Sequence, residues 1–382
     1  KRHTKTWADA DKKIRRDFLD KQTSKKNYFK NKLPKKLLSI ENDFERTQKI
    51  YLYLQEKLNW NNRYWTHEDL RIKKVFEENS GSVEAINLIL YNSLKAANIE
   101  CYLVALSTRK NGLPAKVYPI VKDFNYVLVK AVINGESYFL DATNKNLAFG
   151  QIPFKCLNGE GRVLDFKKGS YWEKLSSRLK STFNYRIQLD LNEENNFKGT
   201  INIIKKGYFA SNERALLEQM NEEEYLENFE SENQNLEVED YSHENLEDNN
   251  KFLKQKFKIT IDNDNENLKF NPFFYGKITV NPFKLNNRIY PVDYGYKRNY
   301  NLKIRLPEKY KVSKLPEEKT ISLPNKGGVI IFKSESKNNQ LNIYLKYNIN
   351  KKTYSNEEYY YLKEFYNQLI KIYNTTIELI PS

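Results

Sequence analysis

The chain has 382 residues, 39% of them hydrophobic and 14% aromatic, with 28 Tyr and 21 Phe, which excludes a disordered chain and leaves room for two or three domains. Its net charge is +15 at pH 7, and no apolar run approaches the roughly 18 to 20 residues of a membrane helix. Two cysteines, Cys101 and Cys156, exclude a disulfide scaffold, and with three scattered His they give no ligand spacing, so neither a metal nor a cofactor is expected.

Residues 1–40 carry about +10 and read as a basic helical connector, with Trp7, Asp17 to Leu19 and a Lys-rich stretch ending near Pro34. The single Met and a first residue of Lys1 suggest a start after a removed segment. No Arg-aromatic interleaving accompanies the charge, so nucleic acid is not the expected partner. A basic nucleic-acid-binding protein remains an alternative, recognisable by affinity that falls steeply with salt. From Asn42 or Asp43 to Leu58, the residues Phe44, Ile50, Tyr51, Leu54 and Leu58 form one apolar helical face behind an Asn/Asp cap. A loop with Trp60, Asn61, Asn62, Trp65 and His67 leads to a helix expected over Glu68–Glu77.

The helix from Ser82 to Ala97 is the best-defined element. Val83, Ile86, Asn87, Leu90, Leu94 and Ala97 share one face, Gly81 precedes it and Ser82 caps it. A strand follows from Cys101 to Thr108, and its alternation makes Cys101 a packing residue. Strands Tyr126–Ile133 and Ser137–Leu140, joined by Asn134-Gly135-Glu136, form a tight hairpin that sets Tyr126 beside Asp141. Cys156 falls in the turn-rich stretch Phe154 to Gly161, as a free thiol or a surface contact.

From about Phe183 the pattern turns to β. Tyr185–Leu191, Gly199–Lys205, Lys254–Ile261, Asn301–Leu306, Gly328–Phe332 and Leu341–Tyr347 alternate apolar and polar residues between Asn, Gly and Pro turns, as in an antiparallel sandwich. One helix is expected at about residues 211–229, where Tyr225, Leu226 and Phe229 interrupt a block (211–250) of charge about −13. Another is expected at 357–373, with Tyr360, Tyr361, Phe365, Leu369 and Ile372 on one side.

Gly81-Ser82-Val83, Phe124-Asn125-Tyr126 and Leu140-Asp141-Ala142-Thr143 together resemble the transglutaminase-like domains of the papain-like superfamily. In those domains the helix opens with a Gly-Asp-Cys type turn, the strand carries Phe-Asn-His and the next carries Leu-Asp-Ala-Thr. Asn281-Pro282-Phe283-Lys284, Arg288, Tyr290-Pro291-Val292-Asp293, Leu306-Pro307-Glu308 and Leu315-Pro316-Glu317 resemble the β domain that follows such domains in envelope proteins of Bacteroidota-type bacteria. The resemblance implies an α+β fold: a connector over 1–40, a transglutaminase-like, papain-like cysteine-proteinase domain over 41–180, and a β-sandwich-like domain with a C-terminal helix over 181–382. It also implies a further upstream β domain, a secretion signal, and export to the periplasm or an outer-membrane-associated assembly.

The nucleophile position of the resembled triad is Val83, the base position is Tyr126, and only Asp141 is retained. A thiol attacks as a thiolate made by an oriented imidazole, which an aliphatic side chain and a phenol cannot reproduce. The expectation is a catalytically inactive scaffold that binds a protein partner, or an envelope polymer, through a cleft lined by Trp60, Trp65, Ser82, Val83, Tyr126 and Asp141. Ser82 reads as a cap, Asp141 as a turn-forming residue and His67 as a surface residue. The enzymatic alternative is a cysteine or serine hydrolase or acyl transferase with a rearranged site using Cys101, Ser82 or His67.

Overall fold

The structure is a computed structural model that describes residues 6–19, 21–64, 70–233, 235–263, 268–284, 290–291, 296–351 and 353–382. The chain divides into two compact units, Lys1–Leu179 and Lys180–Ser382, and both mix helices with sheet.

The first unit is organised around the Val83–Ala96 helix. Ser82 caps it by accepting the Ala85 N–H, and nearly every residue from Val83 to Ala96 is buried. A helix buried this completely, polar Glu84, Asn87, Asn92 and Ser93 included, is covered on all sides. Helices Lys26–Lys32, Asp43–Lys57 and Ile72–Glu78 pack on it, as do strands Glu100–Leu106 and Tyr126–Ile133. Those strands belong to an antiparallel sheet in the order Glu136–Leu140, Tyr126–Ile133, Glu100–Leu106, Glu160–Leu164, Tyr171–Lys174. The hairpin turn has Asn134 at φ 52° and Gly135 at φ 80°, the doubly left-handed turn that Asn-Gly favours. The expected helix over Glu68–Glu77 is Ile72–Glu78, with residues 65–69 outside those described.

The basic lead-in is part of this core. Thr6 and Asp9 form a capping box for the Trp7–Ile14 helix, and Ala10, Ile14, Leu19 and Phe29 join the main hydrophobic cluster. Trp7 packs 5.9 Å from Phe124 and 5.0 Å from Trp172. Asp11 receives a bidentate pair from Arg162 at 2.8 and 2.7 Å, with both residues buried, the geometry that makes an Arg–carboxylate pair strong.

The second unit is built on an eight-stranded sheet in the order Leu236–Glu244, Leu253–Ile261, Phe197–Lys206, Ser181–Leu191, Tyr296–Arg305, Gln340–Ile349, Gly328–Lys337, Lys319–Ser322. Every pairing is antiparallel except the central one, where Ser181–Leu191 runs parallel to Tyr296–Arg305. At Gly199 an added Cβ would lie 2.0 Å from the Gln188 carbonyl oxygen, so this strand position excludes any side chain. An antiparallel sandwich was expected here. The large sheet is mixed at its centre, and its dry face shares a core with a three-stranded antiparallel sheet of Lys269–Phe270, Ile377–Pro381 and Tyr310–Lys314 and with helices, which contribute Tyr225 and Phe229 from Glu222–Ser231 and Tyr359, Leu362, Phe365, Leu369 and Ile372 from Asn356–Tyr373. Alternation along a strand records that one face is dry and is silent on what covers it. The single helix expected over 211–229 is two, Tyr208–Leu217 and Glu222–Ser231, because Asn221 starts a new helix by accepting the Glu224 N–H.

Candidate functional site

The hairpin brings Tyr126 and Asp141 together: the Tyr126 hydroxyl donates to Asp141 Oδ2 at 2.6 Å, and both residues are fully buried. Tyr126, expected to line a cleft, is completely enclosed. The other carboxylate oxygen, Oδ1, accepts the Thr143 N–H at 2.8 Å and a longer bond from Asn87 Nδ2 at 3.4 Å. Asn87 lies one turn beyond Val83 and ties the helix to the sheet, donating to the Val127 carbonyl at 2.9 Å and accepting the Ala142 N–H at 3.1 Å. Tyr51 donates to the Asp141 carbonyl at 3.0 Å, and Gln55 donates to the Tyr51 hydroxyl at 2.8 Å. The Asp141 carboxylate is therefore held by a phenol, an amide side chain and a backbone N–H, and the donors around it serve as an anchor for the strand end.

Val83 is fully buried at the helix start, and its N–H donates to the Arg63 carbonyl at 3.0 Å. Ser82 is buried with its hydroxyl used as the cap. A Cβ at Gly81 would meet Val75 Cγ1 at 2.4 Å, so a side chain there would require that methyl to move, and its parallel bridge to Trp60 sets that residue beside the helix start. Trp60, partly exposed, donates its indole N–H to the Arg63 carbonyl at 2.9 Å. Trp65 and His67 lie outside the described residues.

Cys101 is buried, its thiol pushed up to about 12 chiefly by burial. Cys156, expected as a free thiol or a surface contact, is a free thiol fully buried beside the Tyr126 hydroxyl, and burial together with the charge of Asp141 raises it well above the usual range. Neither cysteine is disulfide-bonded. Burial and Asp141 likewise raise the Tyr126 phenol well above 10. At neutral pH the Cys156 thiol and the Tyr126 phenol are thus both held in their protonated forms.

Sequence reasoning missed the residues that close the site. Lys155 places its ammonium 4.1 Å from the Trp60 ring centre, 4.8 Å from Tyr64 and 5.3 Å from Tyr126, and its Nζ is 3.4 Å from the Tyr64 hydroxyl. Nothing in the sequence signals this contact, which joins positions about 90 residues apart. Asn87 did carry a signal, as an amide on an otherwise apolar helical face. Among the described residues no group of three or more His, Cys, Asp or Glu could hold a metal ion.

Residues 265–379 match a family described as a domain of unknown function with a solved structure, DUF3858. The chain is similar in fold to a crystal structure from Parabacteroides distasonis ATCC 8503 described as a "putative protease", with a TM-score of 0.53 and 12% identity. That match covers 98% of this chain and 58% of the other, so this chain spans less than two thirds of its relative's length. No curated protein matches this chain. At 12% identity the likeness is one of fold: a mixed α+β chain similar to a protease-like structure, with a C-terminal region matching a family of unassigned function.

Proposed function

We propose that this chain is a catalytically silent transglutaminase-like protein that binds a partner protein at the partly exposed surface of Trp60, Tyr64 and Lys155 beside the enclosed Tyr126, and works in a bacterial cell-envelope assembly. The observation that carries the reading is the Tyr126–Asp141 bond at 2.6 Å. In a working triad the carboxylate orients an imidazole that takes a proton from the nucleophile. Here it orients a phenol that stays protonated, while the residue at the nucleophile position is Val83. The chain's fold neighbour carries the word protease, and loss of the two proton-handling groups from such a scaffold leaves its binding surfaces available for other use.

The closeness of Cys156 to Tyr126 and Asp141 gives the rearranged-hydrolase reading its best candidate. A buried thiol held protonated is a poor nucleophile, so the silent reading is favoured. The deciding experiment measures amide hydrolysis and acyl transfer to a fluorescent amine by the wild-type chain and by Val83→Cys/Tyr126→His. We expect no turnover from the wild type and little from the double variant, because oxyanion donors and substrate contacts need their own preorganisation. Wild-type turnover lost on Cys156→Ala would replace the silent reading with the rearranged one. Fractionation of cells carrying the full-length protein tests the location: recovery with the envelope is expected, and recovery in the cytosol would refute it.

A further inference from the structure

We infer that Trp60, Tyr64 and Tyr126 form an aromatic cage for a primary alkylammonium group, that Lys155 fills it in cis, and that the lysine side chain of a partner protein is its exchangeable ligand. The inference rests on the partner-binding reading and names the chemistry it recognises. The three rings are inclined to one another, Trp60 to Tyr64 at 79° and Tyr64 to Tyr126 at 63° with centres 5.7 and 5.8 Å apart, so their faces and edges converge on one point. The Lys155 ammonium occupies that point, within 6 Å of all three ring centres, the range over which ring quadrupoles attract a cation. Among the described residues the two buried lysines are paired with acids, Lys130 with Glu173 and Lys205 with Glu213. Lys155, only partly buried, contacts rings and one phenol oxygen.

The occupant can leave. Lys155 is half-exposed on a single turn, Phe154–Cys156, whose backbone is fixed by buried Cys156 and Leu157 and by the Cys156 N–H bond to the Pro153 carbonyl at 2.8 Å. Only side-chain torsions need to change for the ammonium to move into water, while Tyr64 keeps one wall of the cage open at 38% exposure. The cage is built for one positive charge. Asp141, the acid behind it, is already engaged by Tyr126, and the occupant in cis is itself a lysine borne on a polypeptide, the chemistry expected of the exchangeable ligand.

The test uses the full chain as wild type, Lys155→Met, Lys155→Gln and Lys155→Met/Trp60→Leu, with folding checked by circular dichroism. Binding of Nα-acetyl-lysine methylamide, of its uncharged norleucine analogue and of cadaverine is measured by ligand-observed NMR and calorimetry. An internal ammonium competes at an effective concentration in the millimolar range, which weakens a ligand of millimolar affinity about twofold and a tighter one more, so both single variants should bind the lysine probe at least about twofold more tightly than the wild type. The double variant should lose that gain and the norleucine analogue should not bind. Single variants binding no better than the wild type, or equal binding of the norleucine analogue, would overturn the cage; binding of cadaverine without the lysine probe would overturn the choice of a protein lysine. No partner and no turnover enter this measurement, so it can fail while the silent-scaffold reading stands, and the reverse.

Discussion

At Tyr126 a single hydroxyl joins the start of one strand to the end of the next. Tyr126→Phe would keep the ring in place and remove the donor at 2.6 Å from a buried carboxylate, leaving Asp141 with an unmet acceptor. The expected loss is about 1–3 kcal/mol of folding stability, read from urea unfolding of the two proteins. The pH dependence has a definite sign. A phenol whose folded pKa is raised contributes stability that is complete below its unfolded pKa of about 10 and lost as pH climbs above it. Tyr126→Phe should therefore flatten only part of the alkaline limb of the stability profile, because other tyrosines raised chiefly by burial, Tyr51, Tyr185 and Tyr373 among them, retain the rest. An unchanged limb in the variant would show that Tyr126 ionises as freely in the folded chain as in the unfolded one.

Among the elements, the lead-in helix Trp7–Ile14 is fixed to strand Glu160–Leu164 through one buried ion pair. Asp11→Ala leaves Arg162 buried beside Trp7 and Trp172 without its acid, at a cost of about 3–5 kcal/mol. Arg162→Met in the same background should recover part of it, which differential scanning calorimetry would register. The C-terminal helix Asn356–Tyr373 begins with a Ser355/Glu358 capping box, and Glu358 also takes bonds from Lys351 and Asn325, which hold its carboxyl down at about 2. A depressed acid contributes above its ordinary 4.5 and is lost as pH falls toward 2. Glu358→Gln should remove that part of the acid limb, and Ser355→Ala should cost about 1 kcal/mol. Helices with strong periodicity and caps were legible in the sequence: Asn42 and Ser82 cap where their side chains indicated. So was the Tyr126–Asp141 pairing, because Asn-Gly fixes the hairpin register. The Lys155 cage was not, since a cation on a turn meets its rings only through tertiary folding, and neither was the cover of the large sheet.

Across the whole molecule, charge is segregated along the chain, about +10 over residues 1–40 against about −13 over 211–250, within a net +15. The acidic stretch ends in strand Leu236–Glu244, the edge of the eight-stranded sheet, where Glu237, Glu239, Asp240 and Glu244 stand on the strand and the register slips between Val238 and Asp240. Glu239 is drawn inward along the sheet surface by Lys258 at 2.8 Å. At the other edge lies Lys319–Ser322, four residues long. An exposed strand edge offers unpaired backbone groups to any second strand, and like charges, an irregular register and shortness all deny it a partner. What the sequence displays as an acidic block thus acts as a guard on a wide sheet that would otherwise grow by adding strands from neighbouring chains. Replacing Glu237 and Asp240 with Thr should leave the monomer's sheet intact and raise light scattering during refolding at micromolar concentration, most of all at high salt, where the remaining charges are screened.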